Sequence, residues 1–298
     1  MTRTAPPKPA GSSAAKLWLK RWKRRLGYYD ARRRIWRGWF RRSLRPTDAF
    51  LVGHPKSGNT WLAYMLAIAL FRDHTEDVTL MNVRKYVPYV HGNDHHIAKH
   101  RRLPDPRIFR NEYPNYRDLY PKIIYLVRDP RAVLPSLWHM YQVIFDDTHM
   151  TLGSFLSQYM TMSGCFTVWN RDLIRWDRQV REAMTEAERD PRIVIVRYEA
   201  LVQDRRAALE RLMTFLDVTR HAEDLDHAGE RGSFDAMQQL EEEHGAEAYR
   251  GRALGKGRFV RVGEIDSWRR EVDPTLVSRI EQEFGPVMEL AGYLPKKR

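Results

Sequence analysis

Three short apolar runs punctuate an otherwise charged chain: Ala-Phe-Leu-Val at 49–52, Ile-Ile-Tyr-Leu-Val at 123–127 and Ile-Val-Ile-Val at 193–196. Each is too short for a buried helix, rich in β-branched or aromatic residues and without polar alternation, which is the pattern of a strand covered on both faces. Helix-forming stretches follow them at 61–71 and 132–141, and 152–187, with little glycine, predicts a long helical region covering the sheet. A C-terminal helix is predicted over 274–292, with Pro274 in its first turn. Strands alternating with helices imply an α/β fold in three layers, a central parallel sheet flanked by helices, as one domain over 46–298. No internal repeat is visible.

The turns that end the first two strands carry the candidate chemistry. Gly53-His54-Pro55-Lys56-Ser57-Gly58-Asn59-Thr60-Trp61 runs from a strand through a tight turn into a helix start. Pro55 and Gly58 shape that turn, and the N–H groups around 57–60 sit at the positive end of a helix dipole, where an anion is stabilised. The Walker A pattern sets its Lys directly after the second Gly; here Lys56 precedes Gly58, which argues against a standard nucleotide triphosphatase. In Arg128-Asp129-Pro130-Arg131, Asp129 is placed to cap a helix that Pro130 opens. Arg128 and Ser136, two helical turns apart, can converge on one phosphate; the alternative is a capped helix with a salt-bridged arginine.

Together these motifs resemble the PAPS-dependent sulfotransferases, a P-loop-like α/β family. Pro55-Lys56-Ser57-Gly58-Asn59-Thr60-Trp61 is similar to the family's 5′-phosphosulfate loop, and Arg128 with Ser136 to its 3′-phosphate pair. Phe259-Val260-Arg261-Val262-Gly263-Glu264-Ile265-Asp266-Ser267-Trp268 resembles the Arg-Lys-Gly-x-x-Gly-x-Trp segment; Arg261, Gly263 and Trp268 keep their places, but Val262 replaces the Lys and Asp266 the second Gly. Ser233, Phe234 and Met237 match a stretch whose Phe and Met pack on adenine, and Tyr198 and Trp61 are placed on the same base. The resemblance implies PAPS as donor, adenosine 3′,5′-bisphosphate as product and no metal. It also implies that Lys56 neutralises the leaving phosphate, while Ser57, Thr60 and the loop N–H groups hold it. The Gly- and charge-rich stretch 241–258 reads as a lid.

The family's acceptor-activating His stands in a Lys-Thr-His-x-Pro stretch. The corresponding residues here, Arg110-Asn111-Glu112-Tyr113-Pro114, put Glu112 at that position, and a carboxylate can act as the base. His100, followed by Arg101-Arg102-Leu103-Pro104, is the rival. His91, His95, His96 and His100 cluster without Cys or carboxylate ligands at a recognisable spacing, so no metal site is expected.

Charge changes the picture at one end only. Residues 1–45 hold 15 of the 51 Lys and Arg and a single acidic residue, Asp30, leaving 36 cations against 37 carboxylates in 46–298. Residues 1–15 read as a disordered tail and 16–45 as a basic amphipathic helix whose Trp18, Trp22, Leu26, Tyr29, Trp36 and Phe40 share one face. Docking on an anionic membrane is the leading reading of that helix, ahead of packing on its own catalytic domain or a homodimer partner, with nucleic acid third. No apolar run spans a bilayer or marks a signal peptide, and the single Cys165 excludes an intrachain disulfide, which together predict a cytoplasmic protein, peripheral on the membrane face. The acceptor class stays open between small molecule, glycan and lipid-linked. A small-molecule kinase and a non-catalytic membrane or nucleic-acid adaptor are the alternatives of different class.

Overall fold

The computed structural model describes residues 28–71, 77–90, 94–112, 114–145, 149–161, 166–168, 171–244, 263 and 265–295. Its strands are β1 (Ala49–Gly53), β2 (Ile108–Arg110), β3 (Lys122–Val127), β4 (Phe166–Val168), β5 (Arg171–Leu173) and β6 (Ile193–Arg197). Four of them form one sheet in the order β2-β1-β3-β6, with every neighbouring pair parallel. The three expected strands are therefore adjacent. The fourth, β2, is only three residues long, which is too short to leave a periodicity in the sequence.

Side chains alternate across this sheet into two apolar layers. Phe50, Val52, Phe109, Ile123, Tyr125 and Val127 face one layer; Ala49, Leu51, Ile108, Ile124 and Leu126 face the other. On the second side lie α2 (Asn59–Leu70), the short α3 (Val83–Tyr86), α8 (Arg205–Leu216) and α9 (Ala222–Arg231). On the first side lie α4 (Pro130–Phe145), α5 (Leu152–Thr161), α6 (Trp176–Ala187) and α12 (Pro274–Leu290), whose Asp273 cap accepts from Thr275 N–H. The remaining helices are α7 (Tyr198–Gln203), α10 (Phe234–His244) and α11 (Trp268–Glu271). With all four strands parallel, the turns after β1, β2, β3 and β6 open on one carboxyl edge, where ligands bind in such folds.

The long helical region expected over 152–187 is not continuous. It consists of α5 and α6, with the antiparallel β4–β5 pair between them. Phe166 is aromatic and Thr167 and Val168 are β-branched, a succession that favours extended backbone over the helix that the low glycine content suggested. Cys165, residues 1–27, His91, 245–262 and with them Arg261 and most of the expected lid lie outside the described residues.

The described part of the basic helix, α1 (Tyr28–Ser43), packs on its own domain. Phe40 is fully buried, with its ring 5.6 Å from Tyr116 and 6.1 Å from Phe50, and Trp36 lies 4.1 Å from the His95 ring. Those two residues of the aromatic stripe are therefore occupied internally, because the stacked Phe50–Tyr120 pair, 3.6 Å apart, offers an aromatic surface next to them. A fully buried ion pair fixes the helix end: Arg107 binds both Asp48 oxygens, at 2.7 and 2.6 Å, and donates to Ser43 O. Among the described residues, α1 exposes the apolar side chains of Ile35, at 70%, and Trp39, at 48%, near the exposed Arg34, Arg41 and Arg42.

Candidate active site

The loop between β1 and α2 is wound by two residues in left-handed backbone, Lys56 (φ 71°) and Gly58 (φ 101°). Glycine is required at 58 twice over, because a Cβ there would also approach Tyr198 Cδ2 to 2.9 Å. No side chain caps the first turn of α2, so its leading N–H groups point out of the helix end. Ser57 is buried and its hydroxyl has no hydrogen-bond partner. A buried hydroxyl left unsatisfied at an uncapped helix start is the arrangement that an anion completes.

Asn59 ties this loop to the end of β2. Its amide nitrogen lies 3.3 Å from Gly53 O, 3.2 Å from His54 O and 3.3 Å from Glu112 Oε1. The other Glu112 oxygen accepts from Tyr89 OH at 2.9 Å. Arg110 donates through Nη1 to Thr60 Oγ1 at 2.7 Å, stacks 4.1 Å from the Tyr89 ring centre, and sets its buried Nε, which makes no hydrogen bond, 3.9 Å from Glu112 Oε1. Arg110 was not among the residues singled out from the sequence. Its signal was present, since it stands where the family's Lys-Thr-His-x-Pro stretch has its Lys.

His100 has different surroundings. It ends the 3-10 segment Asp94–His100, and its ring lies 6.1 Å from Phe109. Burial, with Arg107 and Lys99 nearby, pushes its imidazole pKa down. Of the two base candidates, the one hydrogen-bonded to the phosphate-loop helix is Glu112. Within the histidine cluster, the His95 ring lies 4.1 Å from Trp36 and 4.5 Å from His96.

Of the expected nucleotide residues, Arg128, Tyr198 and Trp61 meet beside the same loop. Arg128 donates to Lys56 O at 3.3 Å and lies 3.9 Å from the Tyr198 ring centre; Tyr198 in turn sits 5.2 Å from the Trp61 ring. Trp61 reaches back through its indole N–H to Gly232 O at 2.7 Å, next to Ser233, whose hydroxyl caps α10 by accepting from Ala236 N–H. Gly263 has φ 64° and packs so tightly on Phe234 that a Cβ would sit 2.1 Å from the ring. Met237 is 3% exposed within the apolar layer around α2. Ser136 lies half-buried on α4. Asp129 accepts from Arg131 N–H at 2.8 Å, as expected of a helix cap, and binds the same guanidinium through both oxygens.

A buried polar chain runs behind both loops. His54 Nδ1 is 2.8 Å from Pro55 O and Nε2 is 3.1 Å from Tyr159 OH. Tyr159 OH accepts from the Trp176 backbone N–H at 2.7 Å, and the Trp176 indole donates to Arg128 O at 3.0 Å. Complete burial pushes the His54 pKa down to about 4, against the opposing effects of the Pro55 contact and Asp177. A neutral imidazole thus sits directly under the phosphate loop.

Comparison with known proteins agrees with this geometry. The chain is similar to the amine sulfotransferase of Oryctolagus cuniculus, 23% identical over 256 residues, which cover 83% of this chain and 82% of that protein. It is 25% identical over 267 residues to the 3-beta-hydroxysteroid sulfotransferase of Cavia porcellus, covering 85% and 87% of the two chains. Its fold is similar to that of retinol dehydratase in complex with androsterone and the inactive cofactor PAP, with a TM-score of 0.65 at 18% identity over 83% of this chain and 82% of that one. A mouse sulfotransferase complexed with PAP gives a TM-score of 0.57 at 21% identity, over 84% and 90% of the respective chains. The family model described as the sulfotransferase domain matches residues 46–292, a span that contains every loop described above, and the chain belongs to that family.

Proposed function

We propose that this sulfotransferase moves the sulfuryl group of PAPS to a hydroxyl or amine of a small-molecule acceptor, releasing adenosine 3′,5′-bisphosphate. The acceptor atom attacks sulfur in line; the bond from sulfur to the bridging oxygen of the 5′-phosphate breaks, and the acceptor proton passes to Glu112. Lys56, with Ser57, Thr60 and the uncapped N–H groups of α2, meets the charge that builds on the leaving phosphate. Arg128 and Ser136 take the 3′-phosphate, with Gly263 and Arg261 beside it, and Trp61, Tyr198 and Phe234 enclose the adenine.

The observation that carries this reading is the hydrogen bond from Asn59, in the first turn of α2, to Glu112, which supports that carboxylate as the base beside the leaving phosphate. The names of the amine and hydroxysteroid relatives support small-molecule acceptors over glycan or lipid-linked ones. Radiolabelled PAPS incubated with a panel of amines, phenols and steroid alcohols tests it. Transfer to one class, lost in Lys56→Ala while adenosine 3′,5′-bisphosphate still binds, is the expected result; undiminished transfer by that variant would sink the assignment of Lys56.

A second proposal concerns location. The exposed Ile35 and Trp39, flanked by Arg34, Arg41 and Arg42, support α1 as the element that rests on an anionic lipid surface on the cytoplasmic side. Each cation near such a surface adds about 1 kcal/mol, and among the described residues no helix is long and apolar enough to cross a membrane. Sedimentation of the full chain with phosphatidylserine-containing vesicles, against pure phosphatidylcholine, reads this out. Ile35→Ala with Trp39→Ala should lower binding to the anionic vesicles several-fold without affecting turnover. Unchanged binding would contradict it, as would loss of a homodimer in its place.

A further inference from the structure

Lys56 holds a backbone conformation that a side-chain-bearing residue rarely adopts, with φ 71°. The peptide plane that sets this angle is the one joining Pro55 to Lys56, and its carbonyl is the group to which His54 is bonded. A carbonyl only accepts, so Nδ1 carries the hydrogen. Nε2 is then the acceptor for the Tyr159 hydroxyl, which itself accepts from Trp176 N–H. Donor and acceptor are thereby assigned along the chain, and no member is exposed: His54, Tyr159 and Trp176 each have 0% of their surface accessible.

The same Trp176 grips the second phosphate turn, because its indole donates to Arg128 O, while the Arg128 guanidinium returns to Lys56 O. The Lys56 backbone is thus held on both sides: at the preceding carbonyl by His54 and at its own carbonyl by Arg128. We propose that His54 is a positioning residue for sulfuryl transfer: by fixing the Pro55 carbonyl it holds the Lys56 backbone in its left-handed turn, so that the ammonium is aimed at the bridging oxygen. Tyr159 and Trp176 set the tautomer that makes this possible and link the aim of Lys56 to the placement of Arg128. The inference rests on the reading of Lys56 as the cation on the leaving phosphate.

Two near-isosteric replacements separate positioning from bulk stability. The amide nitrogen of Asn falls where Nδ1 was, so His54→Asn keeps the Pro55 contact and loses Tyr159. Gln reaches the Nε2 position, so His54→Gln keeps Tyr159 and loses Pro55. The full chain of each variant is assayed for kcat, KM for PAPS and adenosine 3′,5′-bisphosphate affinity, with Lys56→Ala alongside. Misaiming a catalytic group by about 1 Å costs roughly a hundredfold, so kcat of His54→Gln should fall roughly ten- to hundredfold with bisphosphate affinity kept within about twofold. His54→Asn should stay within a few-fold of the parent. Equal kcat in the two variants, whether both low or both normal, overturns the inference. A normal kcat in Lys56→Ala overturns instead the reading on which it rests.

Discussion

Asn59 donates to Glu112 across 3.3 Å, joining the first turn of α2 to the second residue after β2. The phosphate-binding turn and the carboxylate therefore move as one piece, and Tyr89, bonded to the second Glu112 oxygen at 2.9 Å, fixes the rotation of that carboxylate. The Arg110 guanidinium stands 3.9 Å from the oxygen that Asn59 holds, so two neutral donors and one nearby cation together orient the carboxylate.

Replacing Glu112 with Gln keeps the shape and removes the proton acceptor. General-base catalysis contributes about 10²–10⁴ in rate, so kcat should fall by that factor while adenosine 3′,5′-bisphosphate binds as before. Single-turnover kinetics with labelled PAPS would show it. If His100 were the base, His100→Gln would give that loss and Glu112→Gln would not.

Arg128 lies on the Tyr198 ring and against Lys56 O, and is proposed above to take the 3′-phosphate. A charge-assisted hydrogen bond contributes about 1.5–3 kcal/mol. Arg128→Ala should accordingly weaken adenosine 3′,5′-bisphosphate roughly ten- to hundredfold in a calorimetric titration, and leave the weaker affinity for ADP nearly unchanged. Equal losses for both nucleotides would mean that Arg128 supports the fold of the turn and not the 3′-phosphate.

The buried His54 predicts how stability depends on pH. Its folded pKa, about 4, lies below the unfolded value of 6.5, so the unfolded chain binds the extra proton first. The stability that the neutral ring contributes is complete above pH 6.5 and is lost as pH falls from there towards 4. The slope is about 1.4 kcal/mol per pH unit for one group. Urea unfolding of the parent and of His54→Asn at pH 7 and 5 should show the parent losing roughly 2 kcal/mol more than the variant. Parallel losses would mean that His54 titrates near its ordinary value.

The sheet and the phosphate turns were legible because their signals are local. A run such as Ile123-Ile124-Tyr125-Leu126-Val127 buried on both faces leaves an unbroken apolar stretch, and Lys56 and Gly58 stand within one short motif. Arg110 occupies the Lys position of a local motif, but its contact with Thr60, fifty positions away, leaves no trace in that motif. The hairpin inside 152–187 was missed because low glycine content predicts helix only weakly when β-branched and aromatic residues intervene. The N-terminal wheel groups Trp36 with Phe40, but periodicity shows which residues share a face and not what that face touches. Here it meets Tyr116 and His95, and the apolar residues left to solvent are Ile35 and Trp39.

Thermal unfolding of the purified chain with adenosine 3′,5′-bisphosphate, against ADP and ATP with Mg²⁺, tests the donor site without any knowledge of the acceptor. Ligand at about 100 times its Kd stabilises by about 2.7 kcal/mol, which raises the Tm of a domain this size by about 5–10 °C. The account predicts that rise for the 3′,5′-bisphosphate, reduced in Arg128→Ala, and a clearly smaller one for ADP. Equal or greater stabilisation by ATP with Mg²⁺ would contradict it and point to phosphoryl transfer at the same loop.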